Sequence, residues 1–423
     1  MKLPIELAVA VSIKFLLEYA YISFVNPVFG YAGFTYDFIL SKYLLGWAIY
    51  VTGFLLLCSK RHLHIFELYL LLFLLFVLPN IVFFCFSDQQ ISDLFIVLGP
   101  YFTILLLTNN WKGHPVSVAG GKLIILAVSL VAVLSVILHF FVATGGEMVL
   151  NFTDEYAFRE RFDARSTAGI FGYLNNWVAY VFVVLILSWS LDKKKLFLTA
   201  VSIASILLLF AFSGHKGVLQ SIFLVFFFYC VFQFKNRSLL ILSGFLGLIL
   251  SVVVVTNLTS NMLIGSLIVR RLLFVPAHLN SVYLEFFSQN EFVYWSNGIM
   301  SSFLDYPYHV RTVELIGQYL GYENLAANAG FIATGFMHAG YVGVILYTVI
   351  AAIIFNIINA LARNNHKYFV LSLTFIPISI LFRSSDLLTS ILTHGLLVSI
   401  LALWLYSNKE YVLKAGNLRL YRI

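Results

Sequence analysis

Long hydrophobic stretches alternate with short polar segments along most of the chain. A helix needs about 20 apolar residues to cross the hydrocarbon core of a bilayer. Twelve stretches approach that length, two of them interrupted by Pro100 and Pro377, so the pattern predicts eleven or twelve spans in one all-α polytopic membrane domain, 1–423. The approximate limits are 5–26, 38–58, 65–86, 92–108, 120–143, 170–191, 195–213, 217–234, 238–257, 329–361, 368–383 and 387–406.

Composition supports the membrane interpretation. Hydrophobic residues make up 61% of the chain, charged residues only 11%, and mean hydropathy is +0.94. A soluble domain carries about 25% charged residues, so most of this surface must face lipid. The net charge of +7 arises from basic residues between the spans, which indicates topology and not nucleic-acid binding. Cys58, Cys85 and Cys230 have no metal-ligand spacing and are interpreted as small buried hydrophobic residues.

Lysine and arginine positions predict the orientation. With the N-terminus in the cytoplasm, most basic residues fall on the cytoplasmic side, and the short outer turns carry only Lys216 and Arg383. Both termini are therefore expected in the cytoplasm. Two long segments, about 144–169 and 258–328, fall on the outer face. Apolar and aromatic residues continue through the second one, which predicts short helices lying on the membrane surface.

The first outer segment and the turn that follows it carry clustered cations. Arg159, Arg161 and Arg165 alternate with acidic residues, which is typical either of a self-paired solvated loop or of an anion-binding site. Guanidinium groups match phosphate oxygens in shape and stay charged at physiological pH. In the next turn, His215 and Lys216 lie between two glycines. That lysine extends its charge to the membrane interface, or it belongs to a compact polar site.

The second outer segment opens with Arg270 and Arg271, followed by His278 and Glu285. A basic amphipathic surface helix explains the two arginines. The histidine and the glutamate add groups able to transfer protons beside that basic pair. Arg311, farther along, belongs to no recognisable ligand spacing.

Ionisable residues inside the spans are few and need partners. Lys14 and Glu18 are spaced i, i+4, which predicts that they neutralise each other. His338 is either a hydrogen-bonded core residue or a ligand group. Arg383 and Asp386 bracket a short outer turn, where they pair or where Arg383 faces the same cavity as the loop arginines.

The sequence also lacks several motifs. It has no GxxxxGK[ST] loop, so ATP hydrolysis is not expected, and no metal-ligand spacing, so neither a metal nor a cofactor is expected. Paired interrupted spans in two matching halves and repeated filter motifs are missing, which disfavours secondary transporters and channels.

Four stretches together resemble the Wzy-type O-antigen polymerases. They are RSTAGIFGYLNNW (165–177), SGHKG (213–217), RRLLFVPAHLNSVYLEFF (270–287) and ANAGFIATGFMHAGYVGVILY (327–347). The resemblance covers roughly residues 150–350. An Arg-x10-Gly pattern found in some members is met by Arg161 and Gly172, whereas Arg311 and Gly321 are one residue too close.

The resemblance implies a glycosyltransferase of GT-C-like architecture in the bacterial inner (cytoplasmic) membrane. Such an enzyme polymerises undecaprenyl-pyrophosphate-linked oligosaccharide repeat units into O-antigen or capsule-type polysaccharide at the periplasmic face. Its partners would be the lipid-linked glycan donor and acceptor, membrane lipid, and a chain-length regulator and a flippase of the same pathway. A nucleic-acid partner is not expected.

The chemistry needs positive charge at a pyrophosphate leaving group and an aligned acceptor hydroxyl. Five cations are expected at the pyrophosphates, and His278 or Glu285 is expected to act as the base. The five cations are Arg159, Arg161, Arg270, Arg271 and Lys216. Further expected substrate contacts are Arg165, Tyr173, His215, Tyr283, Arg311, His338 and Arg383, with Trp295 also a candidate for sugar stacking.

Three alternatives stay open. An O-antigen ligase, which moves a finished glycan to a lipid A core, would share the arginine site. A flippase or exporter of lipid-linked sugar should carry charges deep within its spans, whereas here the cations lie in outer segments. A non-enzymatic scaffold predicts that the loop arginines are dispensable.

Overall fold

Helices form nearly all the regular structure in the computed structural model of the chain. The structure describes residues 2–110, 118–149, 151, 155–259, 261–323, 325–407, 413–415 and 418–420. Within these ranges the other regular element is a short antiparallel pair of strands, Leu413–Ala415 and Leu418–Leu420. The predicted helical membrane class is confirmed, since ten helices of the described chain are long and apolar enough to cross a membrane.

The chain divides into two compact units. The first consists of Met1–Asn109, Asn236–Asn356 and Ser379–Leu387, and the second of Asn110–Lys235, Ile357–Ile378 and Leu388–Ile423. Long helices of the first unit contain π-helical turns, for example Tyr21–Val25 and Phe73–Val77. Its helical runs are Leu3–Ala32, Leu40–Ser59, Phe66–Phe86, Ile91–Leu107, Arg237–Thr259, Met262–Gln289, Thr312–Tyr319 and Phe331–Ala362, the last of which continues past Asn356.

The second unit is built in the same manner. Helix Gly121–Ala143 packs against Leu396–Tyr406, and Gly121 makes this possible, because a Cβ atom there would lie 2.5 Å from the carbonyl oxygen of Leu405. Its helices are Gly121–Ala143, Glu155–Ser166, Phe171–Asp192, Leu196–Ser213, Lys216–Val231, Lys367–Arg383, Leu387–Leu392 and Leu396–Tyr406, of which Lys367–Arg383 ends in the first unit.

Each predicted span coincides with a helix of the structure. Ile91–Leu107 and Lys216–Val231 are shorter than a full span, as is Lys367–Arg383. Segment 258–328 was expected to form short helices, and it contains one of these, Thr312–Tyr319. The expectation did not include a long helical run, whereas the structure has one, Met262–Gln289, of 28 residues, with a π-helical stretch Ser266–Phe274 inside it. This run is called the arginine helix below, since it carries Arg270 and Arg271.

Helix Phe66–Phe86 forms the centre of the first unit, and nearly all of its residues are buried. A buried ion pair lies in the same unit. Lys14 and Glu18 form the expected ion pair, and the Lys14 ammonium also lies 4.0 Å from the Trp47 ring centroid. Tyr43 donates a hydrogen bond of 3.2 Å to Glu18. These contacts satisfy the pair inside the unit, so we assign it a structural role.

Candidate functional site

Helix Phe331–Ala362 is interrupted by a sharp break. Ala339 (φ −155°, ψ 34°) and Gly340 (φ 58°, ψ −138°) leave the helical conformation, so the helix consists of two halves, 331–338 and 341–362. Gly335 and Gly343 bring these halves together, because a Cβ atom at Gly343 would lie 1.9 Å from the carbonyl oxygen of Gly335. The chain therefore folds back on itself between the two halves of this helix.

Backbone groups exposed by the break are satisfied by a neighbouring segment. The last carbonyls of a helix have no partner within it. Here the N–H groups of Val293 and Tyr294 donate to the carbonyls of Met337 and His338, each at 3.0 Å. Segment 293–295 thus caps the first half-helix and fixes the position of the His338 side chain.

His338 joins a buried polar network at this cap. Its Nδ1 accepts a hydrogen bond of 3.1 Å from the backbone N–H of Trp295, and its Nε2 lies 3.3 Å from Asp386 Oδ2. Since Nδ1 is the acceptor, we assign the proton to Nε2, which donates to the carboxylate. The imidazole also stacks on the Trp295 ring at 4.9 Å. Both ring nitrogens are therefore engaged, and His338 orients Asp386.

Asp386 is the accessible member of the network. Its Oδ2 also accepts a hydrogen bond of 2.8 Å from the Tyr347 hydroxyl, which in turn accepts one of 2.7 Å from Trp295 Nε1. The His338 side chain is 3% exposed, whereas that of Asp386 is 20% exposed. A carboxylate that accepts hydrogen bonds from two fixed donors and is partly exposed can accept a proton from a bound hydroxyl.

Arg383 lies three residues before this carboxylate. Its Nε donates to the carbonyl of Ser379 at 3.2 Å, and its Nη1 donates to the carbonyl of Leu272, on the arginine helix, at 3.3 Å. Within the described part of the chain it forms no ion pair, so the suggested pairing with Asp386 is wrong. A guanidinium has five N–H donors, and these carbonyls take only two of them. The other donors of this guanidinium have no hydrogen-bond partner among the described residues.

The arginine helix presents Arg270 from its π-helical stretch. The Arg270 guanidinium lies 4.1 Å from the ring centroid of Phe29, and its Nε donates to Ser266 Oγ at 3.1 Å. Arg271, beside it, is exposed. π-helical turns within helices frequently occur at functional sites. Because Arg383 contacts the carbonyl of Leu272, three of the expected cations belong to one neighbourhood of the first unit.

The two expected bases are not gathered with these arginines. Glu285 lies about 20 Å from Arg271 along the helix, at 1.5 Å per residue, and accepts a hydrogen bond of 2.8 Å from the Tyr319 hydroxyl. The His278 imidazole packs between the rings of Phe34 and Phe83, at 5.3 and 5.6 Å. An aromatic enclosure of this kind gives the histidine no approach to a sugar hydroxyl.

Two other expected substrate contacts have internal partners. Tyr283 is 1% exposed and donates a hydrogen bond of 2.8 Å to the carbonyl of Ala327, so it offers no face to a sugar ring. Arg311 Nε donates to Glu314 at 2.9 Å on the protein surface. This hydrogen bond holds the pKa of the Glu314 carboxyl below its ordinary range.

The second unit brings together the first outer segment and the turn at Lys216. Helix Glu155–Ser166 carries the three arginines, and Arg159 Nη1 lies 3.4 Å from His215 Nδ1. Arg161 pairs with Glu147 at 3.4 Å, and both side chains are more than half exposed, so this pair contributes little to stability. Three further expected contacts are exposed: Arg165 on that helix, Tyr173 on helix Phe171–Trp177 and Lys216 at the turn.

Asp386 and Tyr347 were not among the expected site residues. One signal for Asp386 was present, since it shares a short turn with Arg383. The HAG sequence at 338–340 marks the break only in retrospect, because glycine is also common within membrane helices. Among the described residues, no group of three or more His, Cys, Asp or Glu side chains is arranged to hold a metal ion.

Comparison of the chain with protein-family models, curated proteins and solved structures gives no match.

Proposed function

We propose that the chain is a glycosyltransferase that polymerises undecaprenyl-pyrophosphate-linked oligosaccharide repeat units at the periplasmic face of the bacterial inner membrane. One observation carries the proposal. A guanidinium without an ion pair in the described chain, that of Arg383, lies three residues from a carboxylate oriented by His338 and Tyr347. Their Cα atoms are at most about 11 Å apart, because consecutive Cα atoms are 3.8 Å apart.

Each group has a task in the transfer. Asp386 accepts the proton of the acceptor hydroxyl, whose oxygen forms a bond to the anomeric carbon of the donor sugar. The bond from that carbon to the pyrophosphate oxygen breaks, and undecaprenyl pyrophosphate leaves with the electron pair. Arg383 stabilises the charge that develops on the leaving phosphate, as fixed cations do in other phosphate-leaving reactions. His338 and Tyr347 are positioning residues, because they bind the carboxylate and not the substrate.

Arg270 and Arg271 extend the cationic surface for the donor. Both lie on the arginine helix, whose Leu272 carbonyl accepts a hydrogen bond from Arg383. A lipid pyrophosphate presents several charged oxygens, and more than one guanidinium is needed to bind them all. The acceptor is a second lipid-linked repeat unit, so the surrounding membrane lipid is part of the substrate environment. A flippase supplies these substrates, and a chain-length regulator acts on the same product.

The test is polymer formation by the purified chain in lipid vesicles that contain synthetic undecaprenyl-pyrophosphate-linked repeat units. Asp386→Asn keeps an oxygen for His338 and Tyr347 but cannot accept the proton, so kcat should fall about 100-fold or more. Asp37→Asn is the matched control, because Asp37 is an exposed aspartate of the same unit. Wild-type rates from Asp386→Asn would contradict the proposal.

A gene deletion separates the proposed reaction from its relatives. Surface glycan with a single repeat unit indicates loss of a polymerase, whereas a ladder confined to the undecaprenyl carrier indicates loss of a ligase. Absence of surface glycan, with lipid-linked units facing inward, indicates loss of a flippase. Only the first of these results supports polymerisation.

A further inference from the structure

A cavity of about 300 Å³ opens beside the cap of the broken helix. It begins where the arginine helix ends, at Gln289, and shares Val293 and Tyr294 with the cap that holds His338. Its size lies at the lower end of the range for small-molecule sites. The lining residues are Asn290, Glu291, Phe292, Val293, Tyr294, Leu304, Asp305 and Pro307.

Tyr294, one of the lining residues, has unusual backbone geometry. Tyr294 has φ 47° and Trp295 has φ 57°, values that side-chain-bearing residues rarely adopt. These two residues alternate in direction: Trp295 stacks on His338, while the Tyr294 side chain stays 51% exposed. Strained backbone of this kind is concentrated at functional sites. Tyr294 therefore lines the cavity and is half exposed, so its side chain is accessible to a ligand.

A second ring connects the cavity to the helix break. Phe292 lies 6.0 Å from the Tyr294 ring in an edge-to-face arrangement. Its ring also reaches to 3.0 Å from the position that a Cβ atom would take at Gly340. The cavity wall and the break are thus in direct contact, and a ligand in the cavity lies beside the half-helix that positions His338.

Polar groups of the lining match sugar hydroxyls. Glu291 and Asp305 supply carboxylate oxygens, which accept hydrogen bonds from pairs of hydroxyls, and Asn290 supplies an amide. The lining contains no lysine or arginine, so its charge is negative. That charge repels uronic acids and other anionic sugars and favours neutral or amino sugars. A metal ion would need a third ligand from His, Cys, Asp or Glu, which the described residues do not bring there.

We infer that this cavity is the acceptor subsite, which binds the terminal neutral or amino sugar of the incoming repeat unit. The inference rests on the proposed function. The Tyr294 ring stacks on the apolar face of the sugar, and Glu291 and Asp305 bind its hydroxyls. The cap at 293–295 then links the sugar to the network that orients Asp386, which takes the proton of the reacting hydroxyl.

The direct test is saturation-transfer NMR on the full-length protein in nanodiscs. The probes are methyl glycosides of glucose, N-acetylglucosamine, glucosamine and glucuronic acid. At least one neutral or amino glycoside should bind, and the glucuronide should not. Tyr294→Ala and Asp305→Asn should each weaken that binding at least 5-fold, whereas Tyr294→Phe and the control Asp37→Asn leave it unchanged. Binding of no probe, binding of the glucuronide alone, or equal binding by all variants would overturn the inference.

A kinetic arm separates this inference from the proposed function. In the vesicle assay, Tyr294→Ala should raise KM for the acceptor at least 5-fold with little change in kcat. An unchanged KM in a wild-type enzyme that makes polymer overturns the subsite and leaves the polymerase. Conversely, wild-type protein that binds glycosides but forms no polymer overturns the polymerase and leaves the sugar site.

Discussion

Substitution of Gly343 by alanine tests whether the fold at the break sets the geometry of Asp386. A Cβ atom at Gly343 would lie 1.9 Å from the Gly335 carbonyl oxygen, and ordinary contact begins at 3.4 Å, so the half-helices must separate by about 1.5 Å. Tyr347 lies one helical turn beyond Gly343 and moves with it. Its hydroxyl is 2.8 Å from Asp386 Oδ2, so the carboxylate loses this donor or is displaced.

The expected effects follow from these distances. Misplacement of a catalytic group by about 1 Å costs about 100-fold in rate. Overpacking of a tight contact costs about 1–3 kcal/mol of stability. Gly343→Ala should therefore lower the rate of polymer formation about 100-fold and lower the melting temperature, while the protein still inserts into the membrane.

A second Gly→Ala variant, at an uncrowded position, shows what the substitution itself does apart from the crowding at the break. Gly247 lies inside helix Arg237–Thr259, and a Cβ atom there would meet no atom within 4 Å. Gly247→Ala should keep the wild-type rate and melt at the same temperature or slightly higher, since alanine favours helix. The assays are polymer ladders from vesicles and thermal unfolding in detergent. If both variants behave alike, the break does not control the site.

Three more predictions concern charged groups. Arg270→Ala should give surface glycan with one repeat unit at normal protein levels, and a full ladder on a gel would remove Arg270 from the site. Lys14→Met leaves Glu18 buried without its cation, so unfolding free energy should fall by about 3–5 kcal/mol, with recovery when Glu18→Leu is added; unchanged thermal unfolding contradicts this. Arg311→Ala should raise the pKa of Glu314 in an NMR titration, because its hydrogen bond lowers that pKa. The pair therefore stabilises the fold above the ordinary glutamate pKa, and this contribution disappears as the pH falls through the lowered pKa.

The helices were predictable because hydropathy alone marks them. The full length of the arginine helix was not predicted, because Arg270, Arg271 and Glu285 interrupt its apolar run and Pro276 is typical of a helix end. In the structure the helix continues through Pro276, and the carbonyl of Leu272, four residues before this proline, accepts a hydrogen bond from Arg383. Average hydropathy along the sequence does not show that the helix continues through a proline, since this depends on hydrogen bonds made in the folded chain.

The polar network was less accessible to sequence analysis. Trp295, His338, Tyr347 and Asp386 come from three separate parts of the chain, and the fold alone brings them within hydrogen-bonding distance. By contrast, Lys14 and Glu18 were predicted as a pair because helical spacing places them on one face. Spacing rules act within one helix. Contacts between helices depend on small residues such as Gly335, whose role becomes evident only from the close approach.

Charge segregation in the first unit bears on how two similar substrates are told apart. In the proposed reaction both donor and acceptor carry a pyrophosphate, so charge alone attracts either of them to Arg383 and Arg270. The cavity beside the cap has the opposite charge, from Glu291 and Asp305. A pyrophosphate is repelled there, whereas the uncharged end of a repeat unit is not. In the proposed reaction, the substrate whose sugar end enters the cavity acts as the acceptor and keeps its phosphates outside, whereas the substrate whose pyrophosphate binds the cationic side acts as the donor. Charge would then set the orientation of each substrate without recognition of the lipid.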